Sequence, residues 1–427
     1  MKRYYYIKVF FMMLFFASLF IGSCSTAPQA TTSVKEVNKV LTGLDILSQN
    51  NFDALNGRRV GLITNQTGVD RNLIQNIDLF KNSGNVNLRA VFSPEHGFKG
   101  SEEAGKVILD TRDSITGLRF YSLYGKEKSP TAEMLKDIDI LVFDIQDIGI
   151  RSYTYISTMG LAMDAAAKNG VEFLVLDRPN PLGGIRVEGN SLDMDYQSFI
   201  GMYPIPYVYG LTSGELATFI NEKSFISKKK CDLEVIKMLH WSRKKSFKET
   251  FLNWVPTSPH VPNDKTPYFM VATGILGELG IFSIGVGYTI PFQTIAAPWI
   301  NSQLISVKMN ELKLKGVTFR PIDYSPYYSL YSGRSVGGVQ IHITDYNEVD
   351  LYSIQFYFLQ VHHILYPDKN PFSMAKPEKI KMYDKAMGTS AVRKIFMIEN
   401  THSSIRGIIK QDIELFHREK KQYHLYE

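Results

Sequence analysis

Ile138-Asp-Ile-Leu-Val-Phe143 runs into the polar stretch Asp144-Ile-Gln-Asp-Ile-Gly-Ile-Arg-Ser-Tyr-Thr-Tyr155. Next come an alanine-rich segment over Ser157–Asn169, Gly170, and the second apolar run Val171-Glu-Phe-Leu-Val-Leu176. Runs this continuously apolar are too short for helices and read as strands covered on both faces. The segment between them has helical spacing, and Gly170 stands where a helix ends in the left-handed conformation. Strand, helix, strand is a βαβ unit, and its right-handed crossover makes the two strands parallel. The alternation continues outward. Arg59–Thr64 and Val86–Phe92 read as strands, Leu73–Lys81, Thr131–Asp137 and Ser213–Glu222 as helices, and Thr212 as an N-cap. The expected fold is α/β, a Rossmann-like doubly wound and mostly parallel sheet over residues 43–260. The rest reads differently. A loop from Trp254 to Pro267, a Gly-rich stretch Gly274–Phe292, a strand at Val339–Thr344 and helices near Leu351–Leu365 and Ile409–Lys420 suggest a smaller α+β C-terminal domain over 261–427 that closes the cleft.

At the other end of the chain, Lys2, Arg3 and Lys8 precede the apolar run Val9–Ile21, and Gly22-Ser23-Cys24 follows. A basic segment, a short greasy segment and a small-residue site describe an export signal over residues 1–23. The run is short for a membrane span. Cys24 after Gly-Ser resembles a lipobox, so Cys24 is expected to be the lipidated first residue of the mature chain, with residues 24–42 as a flexible tether. Ser25 after that cysteine resembles an outer-membrane sorting signal, which places the expected lipoprotein facing the periplasm. Cys231 is the other cysteine of the chain, so no intrachain disulfide framework is expected. The formal charge is +6 over 427 residues, and half of that excess sits in the export signal. No basic stripe supports nucleic-acid binding. No Cys/His/carboxylate spacing suits a metal, and His362-His363 falls inside an apolar helical pattern. No GxGxxG follows the first strand, so a dinucleotide is not implied.

In an open parallel sheet, ligands meet the loops beyond the carboxyl ends of the strands. Those loops hold Asn65 and Gln66 after the first strand, and Ser93-Pro-Glu95-His96-Gly97 after the second. The third is followed by Asp144, Gln146, Asp147, Arg151 and Tyr153, and the fourth by Asp177, Arg178 and Asn180, with Glu188 just beyond. Paired carboxyls with amide, Arg and Tyr neighbours suit a polyhydroxylated ligand and glycosidic cleavage. One protonated carboxyl donates to the leaving oxygen; a second activates water or stabilises the oxocarbenium-like transition state. Glu95 is the first candidate for the donor, with His96 as an alternative acid–base group. Asp147 or Asp144 is the expected second carboxylate, and Glu188 an outsider. Gly333-Arg-Ser-Val-Gly337 matches GxSxG formally, but a strand follows it rather than a helix, which argues against a serine nucleophile.

Five blocks in this order carry a family resemblance. They are Thr64-Asn-Gln-Thr-Gly68, Phe92-Ser-Pro-Glu-His-Gly97, Phe143–Gly149 with Arg151 and Tyr153-Thr-Tyr155, Leu176-Asp-Arg-Pro-Asn-Pro181, and Gly210-Leu-Thr with Gly214-Glu-Leu-Ala217. Together they resemble a bacterial family long known only as a domain of unknown function, whose characterised members are exo-β-N-acetylmuramidases of the NamZ type. The resemblance implies a cleft between two domains and release of N-acetylmuramic acid from non-reducing ends of peptidoglycan fragments, without metal or cofactor. It implies that Glu95 is the catalytic glutamate and that Asp144, Gln146, Asp147, Arg151 and Tyr153 line the cleft. In the second domain, Glu278-Leu-Gly-Ile-Phe-Ser-Ile-Gly-Val-Gly287 keeps the glutamate, the serine and two glycines of the family pattern, which makes Glu278 a further binding candidate. Ile281 and Val286 stand where the pattern has Asn and Arg, so the amino sugar accepted stays open. The alternative is a non-catalytic, lipid-anchored protein that binds cell-wall glycans.

Overall fold

The computed structural model describes residues 39–102, 111–112, 117–225, 229–411 and 413–427. The expected export signal, Cys24 and most of the tether lie outside the described residues. Seven strands form the main sheet: β1 Arg59–Thr64, β2 Asn87–Ser93, β3 Thr111–Arg112, β4 Arg119–Ser122, β5 Ile140–Asp144, β6 Glu172–Leu176 and β7 Leu233–Ile236. Their order is β3-β4-β2-β1-β5-β6-β7, all parallel except β3, which pairs antiparallel with β4. The strand order reverses on either side of β1, so the crevice of a doubly wound sheet opens above the carboxyl ends of β2, β1 and β5.

Alternation along each strand explains why both faces are covered. Val60 and Leu62 of β1, with Ile140 and Val142 of β5, face one core, where the helix Gly43–Gln49 packs through Leu44 and Leu47. Ile63, Leu141, Phe143, Phe173 and Val175 face the other core, which the helix Tyr155–Asn169 covers with Ile156, Met159 and Ala166. Each large aliphatic or aromatic side chain among these, fully buried, contributes about 1.5–3 kcal/mol, whereas exposed ion pairs such as Lys136–Glu133 are screened by water. Burial therefore carries the fold.

The second core does not stop at the first lobe. It continues through Ile295, Val339, Phe356 and Phe358, so residues 39–427 form one compact unit. The second lobe contains β8 Thr294–Ala297, β9 Val317–Tyr324 and β10 Val336–Ile343, an antiparallel sheet with β10 in the middle. Helices Thr266–Gly277, Ser302–Glu311, Ile354–Leu365, Pro377–Met387, Ala391–Glu399, His402–Ile409 and Ile413–Lys420 surround it. The chain's tail then returns to the first lobe, where Tyr426 donates to Asp177 at 2.5 Å.

The α/β reading holds, with local corrections. The helix expected at Leu73–Lys81 begins at Asn76, because Leu73 is left-handed (φ 66°) and Asp70 Oδ1 accepts from the amides of Asn72 and Ile74 to make a turn there. The helix expected near Ile409–Lys420 runs over Ile413–Lys420, and a separate helix, His402–Ile409, precedes it. Gly170 (φ 67°) ends its helix as expected, and Thr212 caps Ser213–Lys223 in a reciprocal box with Glu215.

Candidate active site

The loop after β2 turns back at once. His96 and Gly97 both take positive φ (70° and 74°), and the Gly97 amide closes the turn on Pro94 O at 3.1 Å. A left-handed histidine costs of order 1 kcal/mol and persists where its surroundings hold it. Here its Nδ1–H donates to Glu102 O at 2.7 Å, which leaves Nε2 as the ring's acceptor. The turn raises Glu95 above the sheet, where Thr154 Oγ1 donates to Glu95 Oε2 at 2.8 Å. Thr154 precedes the helix Tyr155–Asn169, so the β5 loop and the β2 loop meet at this carboxyl. The flanking tyrosines pack edge to face, with centroids 4.9 Å apart. Tyr153 donates to Thr257 Oγ1 at 2.7 Å and Tyr155 to Thr257 O at 2.5 Å, drawing the 254–261 loop over the same spot.

Above this floor lies a cavity of about 910 Å³, lined by Glu95, His96 and Tyr153 from the first lobe and by Glu278, Val286 and Lys379 from the second. Glu278 follows the helix Thr266–Gly277 as its C-cap. Burial raises its pKa above the usual carboxylate value, and Lys379 opposes that rise. Ile281 and Val286 both line the cavity.

The structure separates the remaining candidates from this cavity. Asp144 is fully buried and paired with Arg178 through Nε–Oδ1 at 2.6 Å and Nη2–Oδ2 at 3.0 Å, while Asn76 Nδ2 donates to the same carboxylate at 2.7 Å. This cluster joins the end of β5 to the loop after β6 and to Asn76, and neither Asp144 nor Arg178 is on the cavity lining. Asp147 accepts from the Gly149 amide at 2.7 Å and from the Tyr209 hydroxyl, and its Oδ1 is buried without a partner. Burial pushes it up to about 6, but it is outside the cavity lining. Arg151 is also buried and spends its guanidinium on four backbone carbonyls, those of Asn190, Ile205, Ala386 and Met387.

Asn65 Oδ1 accepts from Thr67, Gln66 Nε2 donates to Pro256 O at 2.7 Å, Gln146 Nε2 to Pro179 O at 2.7 Å, and Asn180 Nδ2 to Leu211 O at 2.9 Å. All four build loops. A side chain at Gly149 (φ 79°) would place its Cβ 2.3 Å from Asn180 Oδ1, so the glycine is needed for that packing. Glu188 pairs with Arg186 and accepts from the Tyr352 amide at 2.8 Å; it lines a second cavity of about 1060 Å³ that shares no lining residue with the first. Burial pushes Glu188 up to about 7. The sequence reading missed Thr154 as a partner of Glu95. It also missed the two lysines on the cavity rim, Lys376 and Lys379, whose segment carries no motif. Among the described residues no group of His, Cys, Asp and Glu could hold a metal.

The N-terminal domain of the exo-β-N-acetylmuramidase NamZ matches residues 60–265, and the C-terminal domain of the same family matches residues 268–426. The chain belongs to the NamZ family. It is similar to the peptidoglycan β-N-acetylmuramidase NamZ of Bacillus subtilis (strain 168), at 40% identity over 409 residues, which cover 95% of this chain and 96% of that one. Crystal structures of two DUF1343 family proteins from Bacteroides fragilis NCTC 9343 share the fold. One has a TM-score of 0.88 at 48% identity and the other 0.73 at 29%, each over 91% of this chain and 99% of its own. The cavity lies where the two matched domains face each other, with Glu95 from the first and Glu278 and Glu378 from the second.

Proposed function

We propose that this chain is an exo-acting glycosidase that removes N-acetylmuramic acid from the non-reducing ends of peptidoglycan fragments. The observation that carries the reading is the cavity shared by Glu95 and Glu278, in a chain of the NamZ family whose B. subtilis relative bears that activity in its name. Two carboxyls on one cavity are the equipment for glycosidic cleavage. The sequence reading gave the proton to Glu95. A second division is open to the same pair: Glu278, whose pKa desolvation raises, donates to the leaving oxygen, while Glu95, held by Thr154, serves the anomeric centre or its attacking water. His96 and Tyr153 shape the sugar's surroundings. The export signal and Cys24 support a lipid-anchored protein on the periplasmic side of the outer membrane, where such fragments occur.

The test is release of the chromophore from an aryl N-acetyl-β-muramide. Wild type hydrolyses it. Glu95→Gln lowers kcat roughly 10²- to 10⁴-fold while the melting temperature stays within about 3 °C. Saturable binding of the sugar without hydrolysis by wild type makes this a binding protein instead, the reading that the apolar Ile281 and Val286 on the lining would favour.

A further inference from the structure

Carboxylates such as Glu95 and Glu378 on the cavity lining repel an anionic ligand unless a cation is placed where the ligand's charge falls. The lining offers four basic side chains, and two are committed. His96 Nδ1–H donates to Glu102 O, and His260 lies stacked on Tyr328 with Nε2 and the phenol oxygen 3.0 Å apart. The guanidiniums are elsewhere. Arg151 is turned into backbone carbonyls, Arg334 lies over the Tyr331 ring and outside the lining, and Arg186 and Arg243 line the second cavity, as does Lys265. What remains is the pair Lys376 and Lys379. Lys376 is the N-cap residue of the helix Pro377–Met387, and Lys379 follows three positions later on the same face; both are exposed at the cavity rim. Lys379 runs alongside Gly280, where an added Cβ would stand 3.5 Å from Lys379 Cε. Lys379 is also near enough to Glu278 for its charge to act on that carboxyl.

We propose that Lys379, seconded by Lys376, holds the ether-linked carboxylate of an acidic amino sugar in this cavity, and so makes the site prefer that sugar over its neutral counterpart. The inference rests on the glycosidase reading for its substrate and adds the group that selects it. Val286 offers the carboxylate no charge, which leaves the two lysines as its partners on the lining. A charge-assisted hydrogen bond from an ammonium discriminates by roughly 10- to 100-fold against a ligand that lacks the charge.

The test compares the aryl N-acetyl-β-muramide with its lactyl methyl ester, an uncharged analogue, in wild type, Lys379→Met, Lys379→Arg and the double variant Lys376→Met/Lys379→Met. The expected result is a 10- to 100-fold fall in the acid-to-ester ratio of kcat/KM in the double variant, through KM, with the ratio largely restored by Lys379→Arg. An unmoved ratio overturns the proposal even if wild type is a competent hydrolase. Calorimetry with free N-acetylmuramic acid separates the two claims. If wild type hydrolyses nothing but binds the acid, and the double variant loses that binding, the glycosidase reading fails and the lysine assignment stands.

Discussion

Glu95 and Asp144 both follow a buried strand of the same sheet, yet one faces a cavity and the other never meets solvent. The difference is local. Pro94 and the left-handed His96 lift Glu95 off the strand end, whereas Asp144 is the last residue of β5 and turns into the bidentate grip of Arg178. Removing one partner of a buried pair leaves the other charge stranded, at a cost of about 3–5 kcal/mol. Asp144→Ala is therefore expected to lose that much stability in urea unfolding, while the fraction that folds keeps most of its kcat; a folded variant of full stability and no activity would make Asp144 catalytic after all. Glu278 gives the complementary prediction. An acid whose pKa is raised by burial is protonated, and able to donate, up to a higher pH than an exposed carboxyl; activity is lost as pH climbs through that value. In a kcat/KM–pH profile the alkaline limb is thus assigned to Glu278, and Glu278→Gln is expected to abolish that limb along with most of the rate. A variant that keeps the wild-type alkaline limb removes Glu278 from proton donation.

Among the elements, those with uninterrupted apolar runs were legible from sequence, and those facing water on one side were not. β1, β5 and β6 are buried along nearly their whole length, so composition alone marks them. β4 and β7 are four residues each and mostly half-exposed, and β9 carries Pro321 within an alternating pattern; none presents a run to read. The helix Ile354–Leu365 shows how an apolar pattern settles a tempting motif. His362 is buried in it and accepts from Trp299 Nε1 at 3.1 Å as a neutral ring, while burial pushes its pKa down to about 4. A histidine whose folded pKa lies below its unfolded value costs nothing at neutral pH and takes stability away as pH falls from about 6.5 toward 4, because the unfolded chain binds the proton first. Thermal unfolding across that window is expected to be less acid-sensitive in His362→Gln than in wild type, after allowing for a constant offset. Parallel curves would mean that His362 does not titrate there.

Taken as a whole, the molecule puts its strand-end polar residues to two uses, which a single sequence does not separate. Asn65, Gln66, Gln146, Arg151, Arg178 and Asn180 satisfy buried backbone and side-chain groups where loops cross above the sheet, a demand that any buried loop imposes. Glu95, His96 and Tyr153 reach the cavity beyond them. Strand positions told which loops gather at the crevice, but not which side chain in each loop points up. That depended on turn geometry at His96 and on the second lobe, whose core is continuous with the first and whose helix ends at Glu278. The central claim is that one saccharide bridges these two glutamates. The structure of Glu95→Gln bound to a fragment with N-acetylmuramic acid at its non-reducing end tests it directly. The account predicts the scissile oxygen within hydrogen-bond reach of Glu278, with residue 95 across the same linkage and carboxyl separation in the roughly 5–9.5 Å range that glycosidases use. A fragment seated instead in the larger cavity beside Glu188, or one that touches neither position, contradicts it.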